Sequence, residues 1–252
     1  MMNYKGKTVF ITGGASGIGK ECALQYGKAG ANVAIADWNH DLNEKTAAEL
    51  TAQGITVKAY KLDVGSYEQV SATIAAVVSD FGSLDVALNN AGIGGKQANR
   101  TAQHTLDDWD NVIRVNQSGV FYCMKEELKI MEAQGTGSIV NVASIAGMRA
   151  LPKQLSYVAS KHAVIGMTKT AAVEYARTDI RVNAVCPVFT NTPLVEGMFE
   201  SNESLREKLV RTIPVGRYGE VSDISNAVLW LTDEASSFVT GLCLPVDGGQ
   251  TA

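Results

Sequence analysis

Several features are scarce or missing in this 252-residue chain, and each absence narrows what it can be. No run approaches 18 consecutive apolar residues, so no membrane span is expected. No Lys/Arg run occurs, and 22 basic against 26 acidic side chains leave a net charge of −4, so nucleic acid is not an expected partner. The 4 cysteines, Cys22, Cys123, Cys186 and Cys243, are far apart, with neither a Cys-x-x-Cys pair nor metal-ligand spacing. They fit reduced thiols in a cytoplasmic protein, and no metal site is expected. The first residues run straight into a strand pattern, so no signal peptide is expected. No repeat, low-complexity tract or linker marks a second domain, and residues 1–252 read as one. Proline is scarce at 5 while glycine reaches 24, which suits many tight strand-to-helix turns.

What the chain does have is alternation. Short apolar strand patterns at 7–12, 32–37, 56–62, 84–88, 137–143, 180–186 and 242–246 are interleaved with helical patterns at 20–29, 42–53, 67–81, 106–133, 156–177 and 221–231. This predicts an α/β protein whose parallel sheet of about seven strands is covered on both faces, a doubly wound α/β/α arrangement. Right-handed crossovers then bring all strand C-terminal ends to one edge, where such sheets bind ligands.

The residues at those ends carry the chemistry. Gly13, Gly17 and Gly19 follow the first strand and open a helix, so backbone amides around Ser16 and Ile18 can approach a pyrophosphate. The spacing G-x-x-x-G-x-G departs from the commoner G-x-G-x-x-G. Asp37 ends the second strand, where a carboxylate can accept both hydroxyls of an adenosine ribose and repel a 2′-phosphate. Neither Ser16 nor Trp38 supplies a cation for that phosphate, which favours NAD(H) over NADP(H). A helix cap is the ordinary alternative for Asp37, as it is for Asp63 at the third strand's end, beside Val64. Asp63 could otherwise accept an adenine amino group. Asn89, Asn90, Ala91 and Gly92 end the fourth strand. Asn116 interrupts an apolar stripe of Trp109, Val112, Ile113, Val120 and Cys123; a buried amide must be hydrogen-bonded, either to neighbouring backbone or to a water. Finally, Tyr157 and Lys161 share a helix face, downstream of Ser144. Bringing a phenol from about 10 to neutrality needs about 4 kcal/mol. One cation about 4 Å away at an effective dielectric near 20 supplies that much. Such a tyrosine can act as a general acid or base.

Thr12-Gly-x-x-x-Gly17-x-Gly19, Asn89-Asn-Ala-Gly92, Asn116, Ser144, Tyr157-x-x-x-Lys161 and Asp247-Gly-Gly249 occur together, in this order, over nearly the whole chain. In this the sequence closely resembles the short-chain dehydrogenase/reductase family. The resemblance implies a Rossmann fold and an active site of Asn116, Ser144, Tyr157 and Lys161. It implies that the tyrosine transfers the proton, the serine orients the substrate oxygen, and the lysine grips the nicotinamide ribose and lowers the tyrosine pKa. The asparagine would link the lysine to solvent through a water. It also implies a homotetramer paired through the long helices.

One departure stands out. Family members usually read Pro-Gly after the sixth strand, whereas this chain reads Pro187-Val188-Phe189-Thr190-Asn191-Thr192. The backbone of Val188 with Thr190 and Thr192 is expected to hold the carboxamide, and Val188 and Phe189 to lie near the substrate. The segment at about 190–216 resembles the family's substrate lid, with Leu194, Met198 and Phe199 forming an apolar patch. With Gln154 these residues suggest an apolar, cyclic or aromatic secondary alcohol or ketone. Two alternatives remain: a 3-oxoacyl-[acyl-carrier-protein] reductase, which wants cations for an acidic carrier, and a non-catalytic dinucleotide sensor. His40, His104 and His162 form neither a relay nor a metal set.

Overall fold

The alternation of side chains along the first strand decides the architecture. β1 (Thr8–Thr12) is buried at every position. Val9 and Ile11 enter one apolar cluster, and Phe10 enters another. Both faces of the strand must therefore be covered, which only a layered α/β arrangement provides. The computed structural model of the protein describes residues 3–95, 99–197 and 203–252, without the side chains of 203–205.

Six further strands join β1: β2 (Asn32–Asp37), β3 (Val57–Lys61), β4 (Val86–Asn89), β5 (Thr136–Val142), β6 (Asp179–Pro187) and β7 (Cys243–Val246). They form one sheet of order β3-β2-β1-β4-β5-β6-β7. Every pairing is parallel. The order reverses between β1 and β4, so a crevice opens there at the C-terminal edge. Helices α1 (Gly17–Lys28), α2 (His40–Thr51) and α9 (Val221–Thr232) cover one face, through Tyr26, Leu50 and Ile224. On the other face lie α3 (Tyr67–Phe81), α5 (Gly119–Gln134) and α6 (Leu155–Glu174), through Ile74, Met131 and Val164. The expected doubly wound, seven-stranded sheet is thus observed. Among the described residues no helix is long and apolar enough to cross a membrane.

Local chemistry sets the helix ends. Ser66 caps α3 by accepting the Gln69 N–H, and Gly82 ends it at φ 86°, a left-handed turn that a side chain disfavours. The helix expected at 106–133 is not continuous. It is α4 (Leu106–Ile113), then a π turn (Arg114–Ser118), then α5. The apolar stripe runs through the break, which is why sequence pattern missed it. The turn is tied from both sides: Asn116 to the backbone of Ile93, and Arg114 to Asp63. Between 190 and 219 the chain forms short α7 (Pro193–Glu196) and α8 (Glu203–Val210).

Beneath the crevice sits a buried polar chain. Asn89 Nδ2 donates to Glu127 (2.9 Å) and to Asn141 (3.0 Å), and Asn141 Nδ2 donates to Thr168 (2.9 Å). Glu127 is fully buried, and burial pushes its carboxyl from 4.5 up to about 8. The folded state therefore favours the protonated acid, so stability from this group is full below about pH 4.5 and lost as pH rises towards about 8. In Glu127→Gln, the gain in Tm over the parent is expected to widen between about pH 5 and about pH 8 and then level off. Thermal unfolding across that range measures it, and a gap that does not change with pH contradicts it.

Candidate active site

The crevice begins with a turn that excludes side chains. At Gly19 an added Cβ would lie within bonding reach of the Gly13 carbonyl oxygen, and at Gly13 (φ 65°) it would meet Asn90 Nδ2 at 2.8 Å. Asn90 secures the turn by donating to the carbonyls of Thr12 (3.0 Å) and Gly13 (2.9 Å). Thr12 Oγ1 accepts the amides of Asn90 and Ala91, which joins the ends of β1 and β4. Ser16 stands at the N-cap of α1 but makes no side-chain cap, so first-turn amides at Gly17, Ile18 and Gly19 lack a side-chain acceptor there. A helix N-terminus of this kind suits a phosphate, and the close-packed glycines leave it approachable.

Asp37 closes the rim. Its carboxylate accepts the amides of Ala15 (3.3 Å) and Asn39 (3.0 Å), which points it across the glycine turn. It does not cap α2; Asn39 does. Trp38 beside it is 75% exposed, an open aromatic face at the same rim. Asp63 carries an ion pair that the sequence did not suggest. Both of its carboxylate oxygens take Arg114 Nη1 (2.9 and 2.8 Å), and one also takes the Gly65 amide. The carboxylate is still 42% exposed, with acceptor capacity to spare. Val64 is buried behind it, against Gly119.

At the reacting end, Lys161 is 4% exposed and donates to the Val142 carbonyl (2.8 Å) from the end of β5. Burial pushes its ammonium down to about 8. Its Nζ lies 5.7 Å from the Tyr157 ring centroid, one turn back on α6. For Tyr157, burial outweighs the hydrogen bond from Ser144, so the phenol sits above its ordinary value. The expectation of a phenol already near neutrality is therefore not met by the protein alone. Ser144 Oγ accepts the Ala146 amide (3.1 Å) and lies 3.5 Å from the Pro187 carbonyl.

Asn116 is fully buried, and its amide is taken up by the chain. It accepts the Ile93 N–H (2.8 Å), donates to the Ile93 carbonyl (2.8 Å), and reaches Ser160 Oγ (3.3 Å). The neighbouring-backbone alternative thus describes the contacts that its side chain makes within the protein. Gly92 is pressed between the same groups: an added Cβ would stand 3.3 Å from Asn116 Oδ1 and 3.6 Å from Lys161 Nζ.

After β6, the Val188 amide donates to Val246 (3.4 Å) and its carbonyl accepts Thr190 Oγ1 (2.9 Å), which leaves that oxygen a second lone pair. Thr192 Oγ1 donates to the Thr190 carbonyl (3.2 Å) and caps α7. The Val188 side chain is 8% exposed and buried with Ile145, Ile213 and Tyr218. Phe189 is half-buried and packs edge-on against Tyr218. Leu194 is 48% exposed and approaches Gly94, and Gln154 stands at the N-cap of α6. Met198 and Phe199 lie outside the described residues. The histidines remain apart, and among the described residues no cluster could hold a metal ion. Glu127 and Arg114 were missed. Glu127 was detectable, because it falls on the stripe of Val120 and Cys123.

Comparison with known proteins agrees with this geometry. A family model described as enoyl-(acyl carrier protein) reductase matches residues 13–251. The 2,5-dichloro-2,5-cyclohexadiene-1,4-diol dehydrogenase of Sphingobium indicum is 40% identical over 254 residues, which is 100% of each chain. The chain belongs to the short-chain dehydrogenase/reductase family. It is an oxidoreductase of that family, on the family's nucleotide-binding, Rossmann-like fold. The solved structure of levodione reductase superposes with a TM-score of 0.94 at 38% identity over 98% of both chains. A 3-ketoacyl-(acyl-carrier-protein) reductase from Brucella melitensis, complexed with NADH, gives 0.92 at 33% identity over 99% of this chain and 100% of its own. A variant actinorhodin polyketide ketoreductase with NADPH gives 0.92 at 36% identity over 99% of both chains. Both nucleotides thus occur on this fold.

Gly19→Ala tests the nucleotide cradle. It is expected to keep the far-ultraviolet circular dichroism of the parent and to lose the Tm rise that NAD+ or NADP+ gives. A Tm rise equal to the parent's contradicts the cradle.

Proposed function

We propose that the protein is an NAD(H)-dependent oxidoreductase interconverting a secondary alcohol and a ketone, with an apolar cyclic or aromatic substrate. The observation that carries this reading is the convergence of Ser144, Tyr157 and a buried Lys161 at the end of β5, beside the glycine cradle. A bound dinucleotide would lie on the α1 N-terminus and Asp37, and it would supply the hydride donor or acceptor. Tyr157 exchanges the proton with the substrate oxygen, and Ser144 holds that oxygen. Lys161 keeps one N–H on Val142, so two further donors remain for a ribose and a proton path. Asn116 acts by fixing Ile93 and, next to it, the Gly92 backbone against which Lys161 lies.

The preference for NAD(H) rests on Asp37, whose charge at the rim opposes a 2′-phosphate. The cyclic substrate rests on the apolar surroundings of Phe189 and Leu194, and on the named activities of the diol dehydrogenase and levodione reductase relatives. A homotetramer is supported by exposed apolar side chains on the long helices, Phe121 (50%) on α5 and Val173 (78%) on α6, and light scattering at a monomer mass would remove that part. The 4 free cysteines suit the cytoplasm.

A panel of cyclic secondary alcohols and ketones with NAD(H) and NADP(H) in parallel tests the reading. NAD(H) is expected to turn over better, and Asp37→Ala to narrow that preference by about tenfold. Tyr157→Phe is expected to lower kcat/KM by about 10²–10⁴-fold. Better turnover with NADPH, or preference for acyl thioesters over every cyclic ketone, would overturn it.

A further inference from the structure

The Pro187–Val188 sequence carries a consequence beyond the proton-transfer groups. A third apolar cluster, separate from the two that flank the sheet, consists of Ile145, Val188, Ile213 and Tyr218, all at most 8% exposed, with Phe189, Leu209 and Val210 packed around it. Its members come from three places that otherwise have no reason to meet. Ile145 follows Ser144 in the turn after β5. Val188 follows Pro187, whose carbonyl lies 3.5 Å from Ser144 Oγ. The others belong to the segment 209–218, which returns from α8 towards the sheet.

The polar contacts around the cluster hold the same three parts together. The Val188 amide is bound by Val246 (3.4 Å), the Gly219 amide by Phe189 (3.0 Å), and the Asn191 amide by Gly219 (2.9 Å). Tyr218 OH donates to the Arg206 carbonyl (2.8 Å) on α8, and its ring meets Phe189 at 6.1 Å. Val188 is the buried member of the cluster at the end of β6, packed with Ile145 and with Ile213 and Tyr218 of the returning segment, while Phe189 beside it is only half-buried. Glycine at this position would leave the backbone in place and remove the side chain that makes the cluster.

We infer that Val188 is a positioning residue: its side chain seats the 209–218 segment on the Ser144 turn, and so fixes the substrate wall before substrate arrives. The inference rests on the alcohol–ketone reading for its kinetic consequence. A wall fixed in advance costs nothing to order on binding, so loosening it should weaken substrate binding more than it slows the chemical step.

Val188→Ala and the milder Val188→Ile are compared with the parent, using cyclohexanol and NAD+. Deleting the two buried methyls is expected to raise KM for cyclohexanol by about tenfold with kcat within about twofold, and Val188→Ile to restore it. A purely structural role would lower the active fraction without that split. A second readout needs no substrate: trypsin cleavage after Arg206, Lys208 or Arg211 in the native protein. It is expected to quicken in Val188→Ala and to return to the parent's rate in Val188→Ile. Unchanged cleavage together with unchanged KM overturns the inference. If the parent oxidises no alcohol at all, the proposed function falls, while the trypsin rates still decide the role of Val188.

Discussion

Everything at the crevice depends on a buried ammonium. Lys161 has lost most of its water, and one carbonyl, that of Val142, takes its place. Burial pushes the group towards neutrality, down to about 8, so the ammonium still carries its charge at neutral pH but with little to spare. The same burial raises the Tyr157 phenol. The two groups are thus held apart in energy by desolvation and drawn together by charge. The surroundings decide which wins: Ser144 on one side, and whatever positive charge and ribose hydroxyls a bound nucleotide contributes on the other.

The fold serves that pair by fixing where β5 and α6 meet. Asn89, Asn141 and Thr168 run as a hydrogen-bonded line from β4 through β5 to α6, with Asn141 next in the strand to Val142. Glu127 terminates the line from α5. Replacing such a line with apolar side chains would keep the core but lose a geometric reference between sheet and helix. On the opposite side of the crevice, Thr12 and Asn90 do the same work for the glycine turn, so both halves of the site are tied to β4.

The layered sheet, its seven strands and the residues at their ends were legible in the sequence because period and punctuation report backbone geometry. Tyr157 and Lys161 were legible as a pair because four positions make one helical turn. What escaped was set by contacts between distant segments. The π turn at Asn116 leaves the apolar stripe undisturbed, and only the Ile93 backbone and the Arg114–Asp63 pair, from other parts of the chain, explain it. The Asp63–Arg114 pair was hidden because the two residues lie 51 positions apart. The cluster around Val188 was hidden too, since nothing local revealed Ile213 and Tyr218 packing with it. The rise of the phenol in the protein alone was not legible either, because a pair seen in sequence has no burial attached.

The central claim is that the Lys161 charge, working against burial, makes Tyr157 usable as a base. The pH dependence of kcat/KM for cyclohexanol oxidation, in the parent and in Lys161→Met, tests it most directly. The account predicts an acid limb in the parent with an apparent pKa below the free phenol's value of about 10, moving up by more than about one unit when the ammonium is removed. A limb that stays in place in Lys161→Met would contradict it.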